Sequence, residues 1–261
     1  MAAAVQRLEP RFVERVWGTT DLSPLYPQQQ KTIGEVWFDD PQHPLLVKFV
    51  FTTASLSVQV HPDDPYAREH EQSRGKTEMW HILEAKPGAR IALGLRETLT
   101  AERLREASLS GEIEQLLNWI DVKPGATYFV PAGTIHAIGG GLTLCEIQQH
   151  SDITYRLYDY GRPRELHLDK GVAVSRLARH TSASQLFPIV CPHFTVREVR
   201  LSGPGELIEP APAELWIVLE GCGRIDGAPF TAGEVFRADA PFQLAGTARL
   251  LRAHEPQRAS D

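Results

Sequence analysis

The chain of 261 residues holds only three cysteines, Cys145, Cys191 and Cys222. They are far apart, odd in number and in no C-x-x-C spacing. That excludes a disulfide framework and a thiolate zinc site, and points to reduced thiols in a cytoplasmic protein. An excess of basic charge is also missing: 27 Lys and Arg stand against 33 Asp and Glu, for a net charge of -6. This argues against a nucleic-acid partner, while leaving room for a local basic pocket that binds a small anion. No apolar run approaches transmembrane length, so no membrane partner is expected. Met1 to Pro10 is small and polar without an apolar core, and no signal peptide is expected there.

Helical periodicity is scarce as well. Its best instance is Thr100 to Ile120, where Leu104, Ala107, Ile113, Leu116 and Leu117 form an approximate stripe. Thr100 and Ser110 are suitable N-caps, which predicts a short helical insertion in two pieces. What fills the rest is short strands between Gly, Pro and Asp turns: 45–51, 56–61, 79–83, 128–130, 142–147 and 215–219. Such spacing indicates an all-β sandwich or barrel. The run Glu78-Met-Trp-His-Ile-Leu-Glu84 is echoed by Glu214-Leu-Trp-Ile-Val-Leu-Glu220. A weaker echo links Pro124–Val130 with Ala232–Arg237. Two related barrels in tandem are therefore expected: residues 1–176 with the helical insertion, a linker over 177–192, and a second barrel over 193–261.

The polar residues of one strand carry the chemistry. Ser57, Gln59 and His61 alternate with Leu56, Val58 and Val60, so the period of two puts the polar trio on one face. Glu78 follows after 16 residues, and His136 ends the pattern Gly125-x5-Pro131-x-Gly133-x2-His136. Two imidazoles, a carboxylate and an amide oxygen suit a borderline divalent ion, with zinc foremost, at a site that still admits water or substrate. The second copy lacks a counterpart of His136 and any Gln-x-His before Glu214, so no metal site is expected there. Asp63 and Asp64, after Pro62, read as turn residues. His43, His70, His167, His180, His193 and His254 are scattered without ligand spacing, His81 falls on the face opposite Glu78, and Glu84 reads as a solvated strand end.

These features are similar to the two metal-binding motifs of the cupin superfamily. Ser57-Val-Gln-Val-His-Pro-Asp-Asp64, Lys76-Thr-Glu78, the His136 motif and Glu146–Tyr160 together resemble type I mannose-6-phosphate isomerases of the short bacterial branch. The likeness runs in order from Arg15-Val-Trp-Gly18 and Ile33-Gly-Glu35 through Arg164–Lys170, and more weakly to Cys191-Pro-His-Phe194. The resemblance implies two jelly-roll barrels, one Zn2+ per chain on Gln59, His61, Glu78 and His136, and a sugar-phosphate substrate. It further implies catalytic roles for Arg156, Lys76, Glu146 and Asp152, and substrate contacts for Ser57 and Arg162. The implied reaction interconverts mannose 6-phosphate and fructose 6-phosphate by proton transfer through a cis-enediol. A cupin sugar-binding or regulatory module without catalysis is the alternative.

The likeness has departures. Longer members carry a His where this chain has Gly75, and their large helical domain is reduced to the region around Thr100–Ile120. Lys76, beside Glu78, is expected either to have a depressed pKa or to bind phosphate. For Arg162, a loop arginine beside Pro163 and Arg164 is an equally good reading.

Overall fold

The computed structural model describes residues 4–180 and 183–256. Three antiparallel sheets dominate it, as the all-β class expected from the turn spacing requires, and they curl consistently with the cupin-like fold that the resemblance implies. The first sheet runs, in spatial order, Arg11–Thr19, Ile33–Phe38, Leu45–Thr52, Leu142–Gln149, Glu78–Ala85 and Thr127–Val130. The second runs Tyr155–Tyr158, Val58–Val60, His136–Ile138, Arg90–Leu95 and Leu117–Asp121. These two close on each other around a core that includes Trp17, Trp80, Ile82, Ile91, Leu93 and Leu144. The polar cavity occupies one end of this space and the apolar core the rest.

The third sheet is built from Val5–Arg7, Val235–Ala238, Glu214–Ile225, Phe242–His254, Thr195–Ile208 and Ile189–Val190, with Ala228–Thr231 also paired to Glu214–Ile225. It lays Phe194, Leu215, Ile217 and Leu251 against Phe38, Val47, Phe49 and Ile147 of the first sheet in one continuous core. Each large apolar side chain sealed there contributes roughly 1.5–3 kcal/mol. Residues Val5–Arg7 pair with Val235–Ala238 although they precede the first barrel in the chain. Thr181 and Ser182 of the expected linker lie outside the described residues; on either side of them His180 and Gln185 hydrogen-bond to Leu95 and Thr127 of the first barrel.

The helical insertion differs from its expectation at its end. Thr100 caps the helix Ala101–Ser110 by accepting from the Arg103 amide, as its residue type predicts. Ser110 is the last residue of that helix, with Gly111 as its left-handed C-cap, so it caps no second helix. The second piece is one turn, Ile113–Leu116, and Leu117–Asp121 is a strand that pairs with Arg90–Leu95. A stripe containing Leu116 and Leu117 fits the start of a strand as well as a helical face, and sheet pairing decides it. Asp63 and Asp64 are likewise not a plain turn. Asp63 caps the helix Asp64–Glu71 by accepting from the Tyr66 amide. Asp64 Oδ1 accepts from Gly75 N at 2.8 Å and from Gln149 Nε2 at 2.9 Å, which folds the insertion back on the barrel. A Cβ on Gly75 would lie 2.5 Å from the Asp63 carbonyl carbon. The His of longer relatives therefore cannot be placed on this backbone.

His81 is buried where the first barrel meets the third sheet, 2.8 Å from Thr127 Oγ1 and 3.2 Å from Arg249 Nη1. Burial first, then the Arg249 charge, lower its pKa from 6.5 to about 4. A histidine kept neutral in the fold binds its proton more readily when unfolded, so its stabilising contribution is complete above pH 6.5 and falls as pH drops toward 4. That contribution is on the order of 3 kcal/mol, at 1.36 kcal/mol per pKa unit. Urea unfolding of the native chain should thus weaken over this window, and His81→Phe should flatten that part of the slope. Identical slopes in the two proteins would assign the acid lability to other groups.

Candidate metal centre and substrate cavity

Cross-strand register assembles the site. His136 and Arg156 are both directly opposite Gln59, on either side of the Val58–Val60 strand. Glu78 is opposite Gln148, and Glu146 is opposite Lys48, in the facing sheet. Residues opposite one another share a face, so register alone gathers these polar groups inside the barrel. The alternation read from the sequence begins at Val58: Val58 and Val60 pack outward toward the helices, whereas Leu56 lies before the strand and lines the same cavity as Ser57 and Gln59.

His61, Glu78 and His136 are buried, and one ligand atom from each lies within 4.8 Å of the others. Each histidine is oriented by the backbone. His61 Nδ1 is 2.8 Å from the Ile153 carbonyl and His136 Nδ1 is 2.8 Å from the Thr134 carbonyl. A carbonyl can only accept, so each Nδ1 carries the hydrogen and each Nε2 lone pair faces inward. The Nε2 atoms lie 3.6 Å and 3.5 Å from the two Glu78 oxygens. Neither Glu78 oxygen accepts a well-formed hydrogen bond, although Lys76 Nζ lies 2.9 Å from Oε2. A fully buried carboxylate left this way is costly unless a cation completes it. Burial pushes Glu78 up to about 7 against the lowering effect of Lys76. It also holds His61 well below 6.5 and His136 at about 4, leaving both imidazoles in the neutral form that binds metals. The donor set therefore fits a divalent ion. Gln59 is adjacent, with Nε2 3.2 Å from His136 Nε2 and Oε1 accepting from Ser57 Oγ at 3.2 Å.

Beside this group opens a cavity of about 300 Å3. Ser57, Gln59, Lys76, Glu146, Asp152 and Arg156 all line it. Lys76 Nζ is 3.0 Å from His61 Nε2 and 3.7 Å from Glu146 Oε1. Burial works to lower its pKa, yet Glu78 and Glu146 outweigh burial and raise it. The side chains around Lys76 thus favour an ammonium and not the depressed pKa that was one of its two expectations. Arg156 is braced by Nε donating to the Glu165 carbonyl at 2.9 Å, and its backbone amide donates to His167 Nδ1 at 3.1 Å. Arg162 is the exception among the expected residues: it does not line the cavity, and its Nη1 sits 3.2 Å from Asp159 Oδ1. Arg164 lines the cavity in its place.

Sequence reasoning passed over Lys48. It is buried, with Nζ 2.6 Å from Gln148 Oε1, 3.2 Å from Glu146 Oε1 and 4.3 Å from the centre of the Trp37 ring. The available signal was one cation inside the apolar run Leu45-Leu-Val-Lys-Phe-Val-Phe51. Burial would raise the Glu146 carboxyl, but Lys48 and then Lys76 outweigh it and hold it below the usual range. Glu35, also in the cavity wall, is held by Arg15 Nη2 at 2.7 Å and accepts from Trp37 Nε1 at 3.0 Å. His167, assigned no role from the sequence, braces Arg156.

No family model matches the chain. Among curated proteins it is similar to mannose-6-phosphate isomerase ManA of Bacillus subtilis, at 35% identity over 94% of this chain and 97% of that protein. It is 37% identical to a mannose-6-phosphate isomerase of Streptococcus mutans, over 80% of this chain and 71% of that one. The crystal structure of the mannose 6-phosphate isomerase from Bacillus subtilis superposes with a TM-score of 0.84 at 28% identity, covering 97% of this chain and all of the other. A phosphomannose isomerase mutant from Salmonella typhimurium shares the fold, with a TM-score of 0.79 at 18% identity over 96% of this chain and 99% of that one. Identity of this extent over nearly the whole length, with the same fold and a cavity built on the residues that carried the resemblance, leads to one conclusion: the chain belongs to the mannose-6-phosphate isomerase family.

Proposed function

We propose that the protein is a zinc-dependent aldose–ketose isomerase that interconverts mannose 6-phosphate and fructose 6-phosphate. The observation that carries this reading is the buried Glu78 carboxylate, ion-paired to Lys76 at Oε2 but unmet at Oε1, between two inward-facing imidazoles beside a cavity that presents Lys76, Glu146, Asp152 and Arg156. We assign metal binding to His61 Nε2, Glu78, His136 Nε2 and Gln59. Rotating the Gln59 amide half a turn exchanges its nitrogen and oxygen and presents Oε1 to the other three ligands. A bound divalent ion would supply Lewis-acid stabilisation of negative charge on the sugar oxygens. We place the metal centre and cavity in residues 1–176, with 177–192 as a linker and 193–261 as a degenerate barrel without ligands. We further propose a cytoplasmic location and no nucleic-acid or membrane partner; among the described residues no helix is long and apolar enough to cross a membrane.

In the open-chain aldose, removing the C2 proton moves that electron pair into the C1–C2 bond and the carbonyl pair onto O1. O1 takes up a proton to give the cis-enediol; the O2 proton then leaves as the C2 carbonyl forms, and C1 receives the proton that the base took from C2, which yields the ketose. The base is drawn from Glu146 and Asp152, the two carboxylates that line the cavity outside the metal-ligand set and, among the described residues, form no ion pair with an arginine. Lys76 and Arg156 stabilise the developing charge, since neither side chain is a base in this setting. Ser57 Oγ lies 3.2 Å from the Gln59 amide, accepts from Nε2 once the amide is rotated, and lines the substrate space. A non-catalytic sugar-binding module would have no need of a carboxylate held ionised between two buried ammonium groups.

Isomerase activity should disappear on chelation and return with stoichiometric zinc, and His136→Ala should lower bound zinc as well as turnover. A zinc-loaded native chain without turnover on mannose 6-phosphate would sink the proposal. Arg156→Ala should lower turnover by about 10²-fold or more with zinc content unchanged, as for a group acting on developing charge. Loss of metal in that variant would instead make Arg156 structural. Lys48→Met removes a cation that lowers the Glu146 pKa, so Glu146 should bind its proton at higher pH. If Glu146 is the base, the acid limb of kcat/KM moves to higher pH; an unmoved limb assigns the proton to Asp152.

A further inference from the structure

The segment after the Tyr155–Tyr158 strand turns back on itself within four residues. Arg162 N donates to the Asp159 carbonyl at 3.0 Å, across Tyr160 and Gly161, both with positive φ, 54° and 73°. Two consecutive positive φ values give the tight reversal of a type I′ turn. The reversal returns Arg164 to Asp159. There the guanidinium forks onto the carboxylate, with Nε 2.5 Å from Oδ2 and Nη2 2.6 Å from Oδ1. Asp159 is 2% exposed, so this pairing is sheltered from water. Asp159 does not use the Nη1 of Arg164, and Arg164 lines the cavity.

The same short segment braces the second arginine. The Glu165 carbonyl and the His167 ring hold Arg156, while His167 N donates back to the Arg156 carbonyl at 2.8 Å. Two guanidiniums thus stand on one wall of the cavity. After burial, the charge of Arg164 is the largest influence lowering the pKa of Arg156. Among the described residues no carboxylate forms an ion pair with Arg156. Asp152 and the Thr154 hydroxyl complete this part of the lining. Asp159 and Glu165 act on Arg156 more weakly than the charge of Arg164 does, and a wall on which two guanidiniums repel one another suits a dianionic group carrying several acceptor oxygens.

We propose that Arg164 binds the phosphate of the sugar-phosphate substrate, with Arg156 beside it on the side of the metal-ligand strand, and that Asp159 is the positioning residue that holds Arg164 in place and anchors the loop that braces Arg156. This rests on the sugar-phosphate reading above and deepens it: the phosphate cation is Arg164, on the cavity wall, and not Arg162, which faces away on the same carboxylate. Because Asp159 fixes two of the guanidinium nitrogens, the remaining one meets the ligand with little conformational entropy left to lose. A lysine in that position cannot hold the fork and reach the ligand together.

The test uses the zinc-reconstituted full chain and its Arg164→Gln, Arg164→Lys and Asp159→Asn variants. KM and kcat are measured for mannose 6-phosphate. Calorimetry reads binding of sorbitol 6-phosphate, which carries the phosphate but has no carbonyl to isomerise, against sorbitol. Arg164→Gln should raise KM and weaken sorbitol 6-phosphate by roughly 10- to 100-fold, the scale of a lost charge-assisted hydrogen bond, with kcat changed by no more than a few-fold. Arg164→Lys should recover only part of this, and Asp159→Asn should shift KM the same way although Arg164 is present. Arg164→Gln tests the site even if Asp159→Asn does not fold. Unchanged phosphate affinity in Arg164→Gln, or the loss appearing in Arg162→Gln instead, overturns the proposal. A native chain that binds sorbitol 6-phosphate through Arg164 but fails to isomerise mannose 6-phosphate would sink the isomerase reading and leave the phosphate site standing.

Discussion

The burial of Glu78 is the constraint on which the polar half of the first barrel depends. A carboxylate 1% exposed, with both oxygens lacking well-formed hydrogen bonds, cannot remain without a cation nearby. Everything around it answers that requirement. His61 and His136 are turned toward it by backbone carbonyls, Lys76 leans on one oxygen, and the second carboxylate, Glu146, is balanced by Lys48 and Lys76. Positive and negative groups alternate across the cavity. Trp17 and Leu56 belong both to the cavity wall and to the apolar core that includes Trp80 and Leu144.

The third sheet contains an internal contrast. Glu214 opens the strand segment that echoes Glu78–Glu84, and it is fully buried too. Its two oxygens are each met by Arg252 at 2.9 Å, in a bidentate pair within the sheet. An arginine satisfies both carboxylate oxygens and closes the site; the imidazoles beside Glu78 turn Nε2 lone pairs toward it and donate to neither oxygen. The same carboxylate position is thus settled as a salt bridge in one sheet and as a candidate metal centre in the other. The third sheet instead contributes its apolar face, which seals the outside of the first sheet through Phe194, Leu215, Ile217 and Leu251.

The legible parts were those set by local periodicity and by residue type. The strands at 45–52, 78–85 and 142–149 were readable because short apolar runs with aromatic and β-branched residues stand next to Pro and Gly turns there. Leu117–Asp121 was misread because a stripe of five apolar residues fits two periods, and pairing with Arg90–Leu95 selects the extended one. The helix Asp64–Glu71 was missed because Pro and Asp at its start signal a turn as strongly as a first helical turn. Lys48 was passed over because a lone cation in an apolar strand carries no ligand spacing; its role appears only opposite Glu146. Arg162 and Arg164 cannot be told apart by composition, since only the reversal at Tyr160–Gly161 decides which one reaches the cavity.

By itself the sequence determined the mainly β class, the repeat of a strand motif, the identity of the four candidate ligands and the lack of their counterparts in the second copy. Those follow from side-chain chemistry and a period of two, both local along the chain. Tertiary structure alone decided which lone pairs face inward, which buried carboxylate keeps an unmet oxygen, and which arginines share a wall. These depend on register between distant strands, such as Lys48 opposite Glu146, 98 residues away, and on where backbone carbonyls fall after the sheets close. Distances of a few ångströms across a barrel are set by the packing of the whole, and no segment read in isolation contains them.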